Sequence, residues 1–141
     1  MTASSHEMGE KSLSSGPSIG CIGCGNMGGA VLRGLCAHAS LKLFGHDHTR
    51  AKVESLNPAD APGRIAWVDT PEELARMSDI VILAVKPYQM ADMLKQIQLY
   101  LGTDKIVVSL AAAVSLDELK QGVQGICPVS RLMPNLPARV G

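Results

Sequence analysis

Gly23, Gly25 and Gly28 stand at Gly-x-Gly-x-x-Gly spacing, directly after the apolar run Ser18-Ile19-Gly20-Cys21-Ile22 and ahead of a helix-compatible stretch opened by Asn26 and Met27. Strand, glycine loop and helix, in that order, are what a chain needs to hold the pyrophosphate of a dinucleotide. Gly23 permits the tight turn out of the strand, Gly25 lets the backbone approach the phosphates, and Gly28 lets the helix lie close on the sheet. The free N–H groups around Asn26 and Met27 would face the anion, with the positive end of the helix dipole behind them. Such a helix end stabilises a negative charge by about 0.3–1 kcal/mol when exposed and up to ~2 kcal/mol when partly buried. With 14 glycines in 141 residues the triplet alone is a weak signal. Its place between a strand and a helix makes it specific.

Two further segments carry chemistry of the same kind. Asp47, in Phe44-Gly45-His46-Asp47-His48-Thr49-Arg50, lies about 20 residues past the glycines, where dinucleotide folds set an acid that accepts hydrogen bonds from the adenosine ribose. A carboxylate there favours NAD(H), because the 2′-phosphate of NADP(H) would meet a like charge. Two unit charges about 4 Å apart at an effective dielectric near 20 interact by roughly 4 kcal/mol. His48, Thr49 and Arg50 are able to offset this, arginine being well suited to phosphate. The residues therefore admit either coenzyme.

Ala84-Val85-Lys86-Pro87 follows the most apolar run of the chain. Pro87 ends the strand and its small neighbours allow a ligand to approach. Lys86 is a compact cation able to meet a ribose hydroxyl, a phosphate or a substrate carboxylate. Ser109-Leu110-Ala111-Ala112-Ala113 follows the next strand, with small side chains that leave room for the flat nicotinamide end.

Other chemistries find little support. No Ser/His/Asp grouping, His-Glu-x-x-His or lysine nucleophile motif is present, so no catalytic residue is assigned. The carboxylate pairs Glu72-Glu73 and Asp117-Glu118 belong to helix starts, where they complement the dipole. Cys21 and Cys24 have Cys-x-x-Cys spacing, but Cys36 and Cys127 form no second pair, so free thiols are expected and no metal site. Net charge is zero with 13 basic and 13 acidic residues, and aromatic content is 3%. Neither a polyanion surface nor a base-stacking platform is indicated, and no nucleic-acid partner is expected. The longest apolar run, residues 80–85, is far short of the 18–20 residues of a membrane span. No signal-peptide core opens the chain, and the expectation is a cytoplasmic protein with no membrane partner.

The elements that must position these residues alternate. Residues 1–16, rich in Ser, Gly and Glu, read as a disordered tail, and residues 17–141 as one nucleotide-binding domain. Strands are expected at 18–22, 41–45, 64–68, 79–85, 105–110 and 129–132. Helices are expected at 26–38, 49–56, 71–77, 88–100 and 116–121. Thr70-Pro71-Glu72-Glu73 and Ser115-Leu116-Asp117-Glu118 supply explicit N-caps. Met90, Met93, Leu94, Ile97 and Leu101 form one helical face and read as core. Continuous Val/Ile/Leu strands separated by helices predict an α/β fold of the Rossmann type: a doubly wound, mainly parallel sheet with helices on both faces.

Together, Ile22-Gly23-Cys24-Gly25-Asn26-Met27-Gly28, Ala84-Val85-Lys86-Pro87, Ser109-Leu110-Ala111-Ala112 and Arg131-Leu132-Met133-Pro134-Asn135 resemble pyrroline-5-carboxylate reductase. The similarity runs from about Ser18 to Gly141 in the family's order and spacing. It implies an NAD(P)H-dependent oxidoreductase that reduces the C=N bond of pyrroline-5-carboxylate, a small-molecule substrate, in the last step of proline biosynthesis. By the same resemblance Ile22, Gly23, Gly25, Asn26, Met27 and Gly28 bind the pyrophosphate, and Asp47 to Arg50 meet the adenosine ribose or its phosphate. Ala84, Val85, Lys86 and Pro87 line the ribose and nicotinamide side with Leu110, Ala111 and Ala112, and Lys86 and Asn135 are substrate-side candidates. The chain departs from the family at Ala113, usually Gly, and at Leu136, usually Thr. Family members favour NADPH and continue past Gly141 into a helical dimerisation domain. The expectation is therefore a cofactor-binding domain that turns over poorly by itself, from an enzyme that is a homo-oligomer at full length. Rival readings are a deazaflavin-dependent NADP reductase, another imine or 2-hydroxyacid dehydrogenase, and a non-catalytic NAD(H)-sensing module.

Overall fold

The apolar runs become strands β1 (Ser18–Ile22), β2 (Lys42–His46), β3 (Ile65–Trp67), β4 (Ile80–Leu83), β5 (Ile106–Ser109) and β6 (Val129–Arg131) in a computed structural model that describes residues 16–133. All five pairings are parallel, in the order β3-β2-β1-β4-β5-β6. Helices α1 (Asn26–Leu35), α2 (Arg50–Glu54), α3 (Pro71–Met77), α4 (Met90–Ile97) and α5 (Leu116–Gly122) make the crossovers. Parallel pairing requires such crossovers, and these cover both sheet faces. Leu32 of α1 and Val53 of α2 pack with Cys21, Leu43, Ile65 and Ile82 on one face. Leu74, Leu94, Ile97 and Leu119 of α3, α4 and α5 pack with Val81, Leu83 and Val107 on the other. The expected doubly wound fold is present. Strand order reverses between β1 and β4, so a crevice opens beyond their carboxyl ends, where ligands of such sheets bind.

Local chemistry sets the helix limits. Thr70 Oγ1 accepts from the Glu73 N–H at 3.1 Å. Ser115 and Glu118 exchange both capping-box bonds, at 3.1 and 3.2 Å. The expected helix over 88–100 is instead three pieces: a 3₁₀ turn Pro87–Gln89, α4, and a second 3₁₀ turn Gln98–Tyr100. Gln89 explains the first break, since its side-chain carbonyl accepts from the Lys86 N–H at 3.0 Å. Helix α1 stops at Leu35 rather than 38 because the Cys36 and His38 N–H groups turn back to Arg33 and Leu35 as tight i→i−3 bonds. Helix α2 and strands β3 to β6 are also shorter than expected, and β2 is shifted by one residue, to 42–46 from 41–45. The reading of 1–16 as a disordered tail lies outside the described residues except at Gly16, and so do Pro134, Asn135 and Leu136.

Two residues dominate the local energetics. Arg64 donates to the Leu41 carbonyl at 2.9 Å and to the Cys36 carbonyl at 3.1 Å, and also to His38, tying the α1–β2 turn to the start of β3. Arg64→Ala frees three acceptors at once and should lower unfolding free energy by about 2 kcal/mol in urea titration. Ser78 is fully buried, and its hydroxyl has no hydrogen-bond partner among the described residues. It packs against Gly20, where any Cβ would collide with Ser78 Oγ and lie 2.5 Å from Leu74 Cδ2. Ser78→Ala removes an unpaired dipole and should raise stability by about 1 kcal/mol in the same measurement.

Candidate dinucleotide site

The three loop glycines stand in different surroundings. Gly23 has φ +94°, and a Cβ there would sit 2.7 Å from the Ala84 carbonyl oxygen. A Cβ on Gly28 would collide with the Gly23 carbonyl and come within 2.8 Å of Ala84 Cβ. These two positions let α1 start hard against β1 and β4. Gly25 differs: its φ is an ordinary −78°, and a Cβ there would meet no described atom within 4 Å. The space beside it is open, as a phosphate requires. No side chain caps α1, and its first backbone closure is Gly29 N–H to the Gly25 carbonyl at 2.7 Å. The N–H groups of Asn26, Met27 and Gly28 thus lie in the uncapped first turn, with the positive helix end behind them.

Asp47 does more than the sequence indicates. One carboxylate oxygen accepts from the Cys24 N–H at 2.8 Å and the other from the Thr49 N–H at 3.1 Å. The carboxylate therefore clamps the glycine loop to the start of α2, leaving further lone pairs for a ribose hydroxyl. Partial burial alone would raise its pKa, but the two N–H donors, Lys52 and His48 outweigh burial and hold it below the ordinary carboxylate value. The Thr49 contact is a local Asx turn that Asp-x-Thr could have signalled. The Cys24 contact has no local signal.

Cys24 is not a mere spacer. Its thiol is buried and lies 3.6 Å from the His46 carbonyl and 3.8 Å from that of Cys21. A hydrogen bond with Cys24, then burial, pushes the Cys21 thiol well above its usual range, with the negative charge of Asp47 adding to it. Such thiols are poor nucleophiles and poor metal ligands. All four cysteines are free, as expected.

The remaining candidates gather at the same sheet end. The Ile22 carbonyl accepts from Ala84 at 2.8 Å, which puts the Ala84–Pro87 turn beside the glycine loop. Lys86 and Pro87 are exposed there, and Val85 is half-buried. Leu110 and Ala111 turn their side chains inward, so only Ala112 and Ala113 of that run are exposed. Sequence reading gave no role to Arg131, whose Nη2 donates to the Ala112 carbonyl at 2.6 Å and ties this loop to β6. It also missed Trp67, which lies 5.4 Å from the His46 ring and 5.8 Å from the Arg50 guanidinium carbon. Asn135 lies outside the described residues.

The model of the family described as NADP oxidoreductase, coenzyme F420-dependent, matches residues 18–113, from β1 to the loop after β5. The chain belongs to that family. Among curated proteins it is 39% identical over 125 residues to a pyrroline-5-carboxylate reductase of Escherichia coli, covering 86% of this chain and 45% of the relative. It is 33% identical to the enzyme of that name from Arabidopsis thaliana, covering 87% and 44%. Its fold matches a Plasmodium falciparum pyrroline carboxylate reductase with NADP bound, at TM-score 0.74 and 26% identity over 89% of this chain and 45% of that one. A Coxiella burnetii pyrroline-5-carboxylate reductase matches at 0.76, with 26% identity over 88% and 46%. The resemblance seen in the sequence motifs is borne out, and the chain spans about half the length of the relatives it matches.

Because the folded-state pKa of Asp47 is lowered, its stabilisation is fully present above the unfolded value near pH 4. It is lost as pH falls through the folded value. Urea midpoints of wild type and Asp47→Ala should differ by a constant amount at neutral pH and converge below about pH 4.

Proposed function

We propose that this chain is the coenzyme-binding part of an NAD(P)H-dependent pyrroline-5-carboxylate reductase. The observation that carries the reading is the open side of Gly25 above an uncapped helix start, at the point where strand order reverses. The similarity to reductases of that name supports the substrate class. The groups present suit a dinucleotide: donors without an acceptor in the first turn of α1, space where a side chain would stand, and the Asp47 carboxylate next to it.

Asn26, Met27 and Gly28 would hold the pyrophosphate through main-chain N–H groups. Asp47 to Arg50 would meet the adenosine ribose, while Ala84 to Pro87 and the Ala112 loop would flank the nicotinamide side. A bound NAD(P)H supplies hydride; the chain binds and orients it and keeps bulky side chains away from the phosphates. Lys86, exposed at the mouth, suits a substrate carboxylate. Assembly into a homo-oligomer and the substrate-side role of Asn135 belong to the same proposal. The family description favours one second reading, a deazaflavin-dependent NADP reductase using the same coenzyme site. Reduction of pyrroline-5-carboxylate by the full-length gene product, with no reduction of a deazaflavin, would decide for the first.

Gly25→Val tests the site directly. Its Cβ meets no described atom, so the melting temperature should hold within about 2 °C. The branched side chain would fill the phosphate space, and NADPH and NADH affinity should fall by about 100-fold or more in calorimetric titration. Unchanged affinity would sink the site.

A further inference from the structure

The lone tryptophan of the chain is held on several sides at the ribose end of the proposed site. Trp67 is the last residue of β3, in register with Gly45 two positions before Asp47. Its indole Nε1 donates to Asp69 Oδ1 at 3.1 Å, which fixes the rotation of the ring. The His46 ring lies against it at 5.4 Å and 30°, and is itself held by a 2.9 Å bond between Nδ1 and the Val68 carbonyl. The Arg50 guanidinium carbon lies 5.8 Å from the Trp67 ring centroid. Arg50 is the first residue of α2, directly after Thr49, which the Asp47 carboxylate ties to the glycine loop.

Arg50 is solvent-exposed, but its guanidinium lies near the Trp67 ring. Its only other charged contact among the described residues is Glu54, at 3.6 Å with both side chains about 60% exposed, a pair that contributes little. A contact with an aromatic face consumes no N–H donor, so a guanidinium held that way can still offer its edge to a phosphate. Meanwhile both Asp47 oxygens already accept main-chain N–H groups, which draws that charge toward the loop. The balance between a carboxylate that disfavours a 2′-phosphate and an arginine that favours it thus depends on where Arg50 is held.

We infer that Trp67 is a positioning residue for coenzyme choice: it steadies the Arg50 guanidinium at the start of α2, three positions after Asp47, so that the site prefers coenzyme carrying a 2′-phosphate. This rests on the dinucleotide reading above and decides between the two coenzymes that the loop residues alone admit. Trp67 is assigned no contact with the coenzyme itself. It acts through Arg50.

The test uses two small probes, adenosine 2′,5′-bisphosphate and adenosine 5′-monophosphate, with NADPH and NADH alongside, by calorimetry on the 141-residue chain. Wild type should bind the bisphosphate more tightly than the monophosphate. In Trp67→Leu that ratio should drop by about three- to fivefold, through the bisphosphate alone. Trp67→Phe, which keeps an aromatic face, should recover part of it. Arg50→Gln should abolish the ratio, and adding Trp67→Leu to it should change the ratio no further. Trp67→Phe, the milder change, keeps the inference testable where the leucine variant folds poorly: its ratio should fall between those of wild type and Arg50→Gln, through the bisphosphate alone. An unchanged ratio in Trp67→Leu overturns the inference, and so does a parallel loss of both probes, which marks a purely structural role. Wild type that binds neither probe nor coenzyme overturns the dinucleotide reading and the inference together. Normal binding with a ratio insensitive to Trp67 overturns the inference alone.

Discussion

The close approach of main chain to main chain at the start of α1 governs this molecule. Gly23 turns with positive φ against the Ala84 carbonyl, and Gly28 stands against the Gly23 carbonyl and Ala84 Cβ. No other residue type fits either place without moving β1, β4 or the helix. That proximity aims the uncapped end of α1 over the crevice between β1 and β4. It also frees Gly25 from structural duty. Of the three loop glycines it is the one whose Cβ would meet no described atom within 4 Å.

A second layer of contacts holds the loops around that end. The Asp47 carboxylate joins the glycine loop to α2, Arg131 joins β6 to the loop after β5, and the Ile22 carbonyl joins β1 to the Ala84–Pro87 turn. Each of these is a hydrogen bond to main chain, so loop positions are fixed irrespective of neighbouring side chains. This allows the mouth of the crevice to be lined by small or exposed residues such as Ala112 and Lys86 without losing shape. The opposite end of the sheet is braced separately, by Arg64 on three carbonyls and by Lys105 on those of Arg76 and Ser78.

Similarity to pyrroline-5-carboxylate reductases and membership of a family described by another coenzyme are compatible in these terms. Both matches cover most of the same chain, residues 18–113 for the family and 86% of the chain for the Escherichia coli reductase. What separates such enzymes is the second reactant. Asn135, a substrate-side candidate, lies beyond the described segment. The coenzyme-site candidates lie within the 118 described residues, 16–133.

The sequence by itself determined whatever depends on neighbours a few positions apart. Apolar runs set the strands, Thr70 and Ser115 set helix starts, and a strand followed by Gly23, Gly25 and Gly28 defined the glycine loop. Short-range signals erred only at element ends, as where Gln89 and Pro87 cut a helix that apolar spacing alone would have run from 88 to 100. Tertiary structure alone decided the second task of Asp47, the seat of Arg50 on Trp67 and the reach of Arg131 to Ala112. Those pairs are separated by 17 to 23 positions, and they meet only because parallel register sets Ile22 beside His46 and Gly45 beside Trp67. Register comes from burying both sheet faces at once, a property of the whole assembled sheet that no single segment carries.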